Sequence, residues 1–218
     1  MDILEIELYT DNLIETESFY FNILGLNIAC KTENSISFLA GKSTLTFIKS
    51  DNLNPKYHFA FNIPNNKLDE AINWSKGKLN LIENDETGIV SNFESWKASS
   101  IYFYDNNVNI LEFIARFDLD NTTYKTFDSS SILSISEIGI VVESPMLLAN
   151  QLIESNHLDF FEKSNKSETF VALGNDNGLI IIAQKNRIWF PTELKAKKHF
   201  ARMKFITEGL KSEITINE

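Results

Sequence analysis

The same order of elements begins three times along this chain, and that recurrence limits its fold more than any other feature. Residues 3–10 read ILEIELYT, residues 57–64 read YHFAFNIP and residues 136–144 read SEIGIVVES. Each is a short apolar-rich strand that runs directly into a helix-like stretch. In the first, Leu4, Ile6 and Leu8 share one face and Glu5, Glu7 and Tyr9 the other, because successive side chains of a strand alternate. Asp11 or Asn12 can cap the helix that follows, Phe19/Ile23 and Tyr20/Leu24 are i, i+4 pairs along it, and Gly25 is placed to end it. Two strand-like runs, Ser35–Ala40 and 43–50, then form a hairpin.

The second segment repeats this order. A helix is expected to about Lys76, with Leu68, Ala71, Ile72 and Trp74 on its buried side. A short strand at 78–83, a polar loop at 84–95 and a hairpin of 96–104 with 109–117 follow. Residues 118–131, rich in Asp, Thr and Ser, are the best boundary. Beyond it come a strand at 135–143, a helix from Pro145 to about Asn156, a hairpin of 168–174 with 178–184, a basic irregular stretch at 187–198 and one more strand at 200–206. The reading is an α+β fold. Residues 1–117 form a domain of two modules (1–56 and 57–117), 118–131 a linker, and 132–218 an additional half-module ending in a strand.

Charge and cysteine content narrow the partners. A net charge of −10 and a pI of about 4.9 disfavour nucleic acid and anionic membrane surfaces. Cys30 is the single cysteine, which excludes an intramolecular disulfide and multi-cysteine zinc sites. No run approaches ~20 apolar residues, and Met1–Glu5 lacks a basic leader. A cytoplasmic protein without a membrane partner is expected.

Three motifs carry a resemblance. Phe19–Leu26, FYFNILGL, is similar to the helix end of the vicinal-oxygen-chelate superfamily of glyoxalases, extradiol dioxygenases and bleomycin-resistance proteins. His58–Ile63, HFAFNI, resembles the start of that family's second module, and 101–113 resembles its closing hairpin. The hairpin departs from the pattern at Asn106 and Val108, where the family has Pro and Gly. The resemblance implies paired βαβββ modules whose sheet forms an open cup, with metal ligands on the first and last strand of each module.

Carried over position by position, the resemblance implies metal ligands at Glu5, His58 and Glu112, with Thr46 in the fourth position and Glu5 or Glu112 as the catalytic base. Two carboxylates and one imidazole suit a divalent ion such as Zn, Ni, Mn or Fe, but depart from the family's usual two-His, one-carboxylate set. Glu7, Thr44, Thr46, Asn62, Trp96, Tyr102 and Tyr104 are expected around a small-molecule substrate with vicinal oxygens, with Trp74 a further candidate wall. Strand parity agrees, since the faces of Glu5/Glu7, Thr44/Thr46 and His58/Ala60/Asn62 are polar or small and their opposite faces strongly apolar. Glu137 is the corresponding residue of the third module, which is read as structural or as a dimer contact because no histidine matches a partner position. An unpaired half-module suggests a homodimer. The expected activity is a lyase or isomerase rather than ring cleavage, and the alternative is a metal-free binding protein of the bleomycin-resistance type.

Overall fold

A computed structural model describes residues 1–51, 54–84 and 88–217. The elements run β1 (Asp2–Thr10), α1 (Leu13–Glu17, continued by a wider helical turn over Ser18–Ile23), β2 (Asn27–Lys31), β3 (Ser35–Ala40), β4 (Ser43–Lys49), β5 (His58–Ile63), α2 (Leu68–Ser75), β6 (Asn80–Ile82), β7 (Val90–Phe93), β8 (Ala98–Tyr104), β9 (Ile110–Arg116), β10 (Ser134–Val142), α3 (Pro145–Asn156), β11 (Phe170–Asn175), β12 (Gly178–Gln184), β13 (Ala201–Thr207) and β14 (Leu210–Ile216). Local signals acted as their chemistry dictates: Asn12 Oδ1 accepts the Glu15 N–H at 3.1 Å, and Gly25 adopts φ +73°. Of the loop expected at 84–95, residues 90–93 are a strand against β8, and residues 85–87 lie outside the described residues. No described helix is long and apolar enough to cross a membrane.

The modules pair, as expected, but not in the expected combination. One sheet has the order β14-β13-β1-β4-β3-β2 and the other β11-β12-β10-β5-β9-β8-β6. Residues 1–56 and 57–117 therefore lie in different sheets. The first module pairs with a C-terminal hairpin, where only one strand was anticipated, through β1 and β13. The second pairs with the third, through β5 and β10. The third module's open edge, the basis for expecting a dimer, is thus taken up within the chain.

Complementary side chains favour these partners. Glu5 and Glu7 on β1 meet Lys204 and Arg202, their register partners on β13. The apolar faces of both sheets share one core, with Ile6, Leu8, Phe38 and Phe47 from the first and Phe59, Phe61, Phe113, Ile138 and Ile180 from the second. Trp74 belongs to this core, 5.6 Å from Phe127 and 6.2 Å from Phe113 between ring centroids. The stretch read as a linker is tied in as well: Phe127 and Ser131 are buried, and Asn65 and Glu70 bond its backbone.

The departure at the closing hairpin has a local explanation. Asp105 accepts N–H groups from Asn107 at 2.9 Å and Asn109 at 2.8 Å, the Asn109 side-chain amide at 2.7 Å and the Tyr20 hydroxyl at 2.7 Å. This anchored carboxylate fixes the turn although Val108 stands at φ +59°, a region that β-branched residues rarely adopt.

Candidate metal centre in the second sheet

The cup of the second sheet has a local twofold relation. Antiparallel pairing of β5 and β10 sets Ala60 opposite Glu137 and Phe59 opposite Ile138. Each first strand also pairs in parallel with its module's last strand, Ala60 beside Glu112 and Gly139 beside Ile181. The relation therefore exchanges His58 with Glu137 and Glu112 with Ile181. Three corners of the cup carry ligating side chains and the fourth is apolar. Ile181, not Thr46, takes the corner without a donor.

His58, Glu112 and Glu137 are all buried, and each offers a donor atom within 4.8 Å of the others. His58 Nε2 lies 3.8 Å from Glu112 Oε2. His58 Nδ1 is 3.1 Å from the Ile110 carbonyl. That oxygen can only accept, so Nδ1 carries the proton and Nε2 presents its lone pair to the carboxylates. Burial holds the imidazole neutral, with its pKa lowered to about 4.

The carboxylates are anchored from behind. Ser100 Oγ donates to Glu112, and Arg116 Nη2 donates to Glu137. Arg116 is fully buried, donates from Nε to Ser136 Oγ at 3.2 Å, and lies 3.5 Å from Asp176 through Nη1. Burial, then the neighbouring charge of Glu137, raises the Glu112 pKa to about 8. Burial also raises Glu137, although Arg116 opposes the shift. Two carboxylates face one guanidinium, so the cluster is short of positive charge when both are ionised. A divalent cation would supply it. Two oxygen donors, one imidazole lone pair and an excess of negative charge fit such an ion.

Above these residues lies a cavity of about 310 Å³, walled by Phe93, Trp96, Tyr102, Phe170, Trp189 and Phe190. The stretch read as basic and irregular is a flap closed on itself by Asn186–Ala196, Arg187–Ala196 and Trp189–Leu194 backbone hydrogen bonds. Trp189 seats where Gly139 leaves room: a Cβ there would approach Trp189 Cη2 at 2.8 Å and the His58 carbonyl oxygen at 3.1 Å. The indole stands 5.2 Å from the His58 ring, centroid to centroid.

The residues expected at the site divide between the two sheets. His58, Glu112, Trp96 and Tyr102 meet at this cavity. Glu5 does not reach it, because β1 belongs to the other sheet, where Glu5 accepts from Lys204 at 2.7 Å and from Thr46 at 3.3 Å. Glu7 is held by Arg202, and Thr44 is the register partner of Glu5. The expected trio is therefore corrected at Glu5, whose place among the clustered donors is taken by Glu137. Asn62, on β5, turns its amide to the carbonyls of Asp176 and Asn177 at 3.3 and 3.2 Å. Tyr104 lines a separate outer hollow with Asp105 and Asn106. Arg116, Trp189 and Phe190 were not among the expected site residues. A signal for Glu137 did exist, since His58-x-Ala60 and Glu137-x-Gly139 share a small residue two positions on.

No protein-family model matches the chain, and no curated protein matches it. Solved structures do. A Bacillus subtilis protein provisionally described as a dioxygenase superposes with a TM-score of 0.61 and 18% identity, over 84% of this chain and 63% of that one. Glyoxalase I from Zea mays gives 0.56 and 11% identity, over 84% and 66%, and its V278E variant gives 0.55 and 12%, over 90% and 70%. The chain thus spans about two thirds of the length of these proteins. At such identities the likeness is one of fold: this chain has the paired-module fold seen in glyoxalase I and in the Bacillus protein.

Proposed function

We propose that His58, Glu112 and Glu137 hold a divalent metal ion, and that the cavity above it binds a small substrate through two adjacent oxygens for a lyase- or isomerase-type reaction. One observation carries this reading: an imidazole lone pair, fixed by the Ile110 carbonyl, converges with two buried carboxylates. A bound ion would supply a Lewis acid that polarises the chelated oxygens. Glu112, among the clustered donors, is the group placed to accept and return a proton at the chelated substrate. Tyr102, whose pKa burial and the Glu112 charge raise well above 10, keeps its proton and donates to Glu112. His58 is the one histidine of the lining among the described residues. An extradiol ring cleavage needs an acid or base beyond the ligands, so isomerisation or elimination is favoured.

The aromatic walls support a second reading, a metal-free binding protein. Calorimetric titration with Zn²⁺ and Mn²⁺ separates the two. One ion per chain is expected, with affinity reduced at least tenfold in Glu112→Ala and His58→Ala and unchanged in Glu5→Gln. A wild-type protein that binds no more metal than Glu112→Ala refutes the metal centre. Chelator-insensitive quenching of tryptophan fluorescence by a ligand would then favour the second reading.

A further inference from the structure

The floor of the cavity carries two carboxylates, yet a cation stands in its wall. Arg187 lines the cavity at the start of the flap. Its backbone is fixed on both sides: its N–H donates to the Gln184 carbonyl at 3.1 Å and its carbonyl accepts the Ala196 N–H at 2.7 Å. Its guanidinium lies over the Phe170 ring, 5.0 Å from the centroid, within cation–π range. Among the described residues no carboxylate pairs with it. The residue is exposed, so its charge is open to a ligand entering the cavity. Among the described residues Arg187 is the one lysine or arginine of the lining.

A planar guanidinium stationed over an aromatic ring can present its N–H edge to a carboxylate in two parallel hydrogen bonds. At about 310 Å³ the cavity takes one small ring with its substituents. We propose that Arg187 forms a carboxylate subsite. The ligand is then a small flat molecule with two adjacent oxygens at one end and a carboxylate at the other. The aromatic walls hold the ring between them, and Arg187 sets which end enters first. This specification of the ligand rests on the metal reading above.

The test uses two probes of equal size, 3,4-dihydroxybenzoate and uncharged 3,4-dihydroxybenzamide, titrated into zinc-loaded wild type and Arg187→Gln. Quenching of Trp96 and Trp189 fluorescence reports binding. At low salt, wild type should prefer the carboxylate about tenfold, the scale of one charge-assisted hydrogen-bonded contact. The preference should shrink as salt is raised. In Arg187→Gln it should vanish while affinity for the amide is unchanged. Equal affinities in wild type, a preference surviving in Arg187→Gln, or failure of both probes to bind zinc-loaded protein overturns the subsite. Zinc uptake measured on the same samples distinguishes the two readings. Uptake without preference refutes the subsite alone. Absence of uptake refutes the metal centre, and benzoate against benzamide, which need no chelation, then decides the subsite in the metal-free protein by the same criterion.

Discussion

The buried donor cluster gives the metal-free protein an unusual dependence of stability on pH. The perturbation is a change from pH 5 to pH 9 in chelator. Glu112 titrates near 8 in the folded chain against an ordinary 4.5. Between those values the unfolded chain has lost a proton that the folded chain keeps, so stability falls as pH rises. At about 1.4 kcal/mol per pH unit, that gap amounts to roughly 5 kcal/mol, lost between pH 4.5 and 8 and constant above. Glu137, also raised by burial, acts in the same direction. His58 has the opposite sign. Its folded pKa of about 4 lies below the ordinary 6.5, so stability also falls as pH drops from 6.5 toward 4, by roughly 3 kcal/mol. Between about pH 4.5 and 6.5 the two slopes cancel, so the net fall lies between pH 6.5 and 8 and amounts to roughly 2 kcal/mol, to which Glu137 adds. Urea denaturation at half-unit pH steps measures it. The neutral Glu112→Gln should lose most of the alkaline fall and overtake wild type above pH 7. Saturating Zn²⁺ should abolish the fall in wild type, since a bound cation compensates both carboxylates. A metal-free wild type whose stability is flat or rising from pH 5 to 8, or an equal fall in Glu112→Gln, refutes the reasoning.

Three further outcomes follow from particular contacts. Gly139→Ala should unseat the flap, because its new Cβ meets Trp189 and the His58 carbonyl; a loss of about 1–3 kcal/mol and a red-shifted tryptophan emission are expected, and unchanged emission would argue against the fit. Val108→Gly should stabilise by about 0.5–1 kcal/mol in urea melts, since φ +59° costs a β-branched residue more than glycine loses in entropy; destabilisation would contradict the turn's strain. Arg116→Met should cost about 3–5 kcal/mol without metal, because it leaves Glu137 buried beside Glu112 without its partner. Arg116→Met with wild-type stability near pH 8 would show that the ion pair is dispensable.

Much of the fold was legible because the signals that set it are local. Strand alternation, the Asn12 cap, the Gly25 terminator and Pro145 at the start of α3 each act within a few residues. His58 and Glu112 were legible for the same reason, since both sit in motifs on the polar face of a strand. Which strands become neighbours was not. Alternation says which face a side chain takes, and β1, β5 and β10 show the same pattern, so nothing local states whether β5 joins β1 or β10. A long-range cue did exist: acidic residues at 5 and 7 match basic residues at 202 and 204, two apart on each strand. Arg116 and Trp189 were illegible for a further reason. A fully buried arginine makes sense only beside Glu137 and Asp176, and a buried indole in a basic stretch only over Gly139.

The exchange of module partners also fixes an order of assembly. Every described strand of the sheet that carries the His58 cluster lies between residues 58 and 184, so that sheet closes over a contiguous stretch of chain. The other sheet joins strands far apart in sequence, with Glu7 opposite Arg202. Its central pairing must wait until β13 has been synthesised, and it closes a long loop of chain. Through that interval β1 is a strand without its β13 neighbour, and its row of backbone groups is open to other chains. The cup can thus form early, while the outer sheet, which carries none of the clustered metal donors, sets how slowly and how safely the chain reaches its final form.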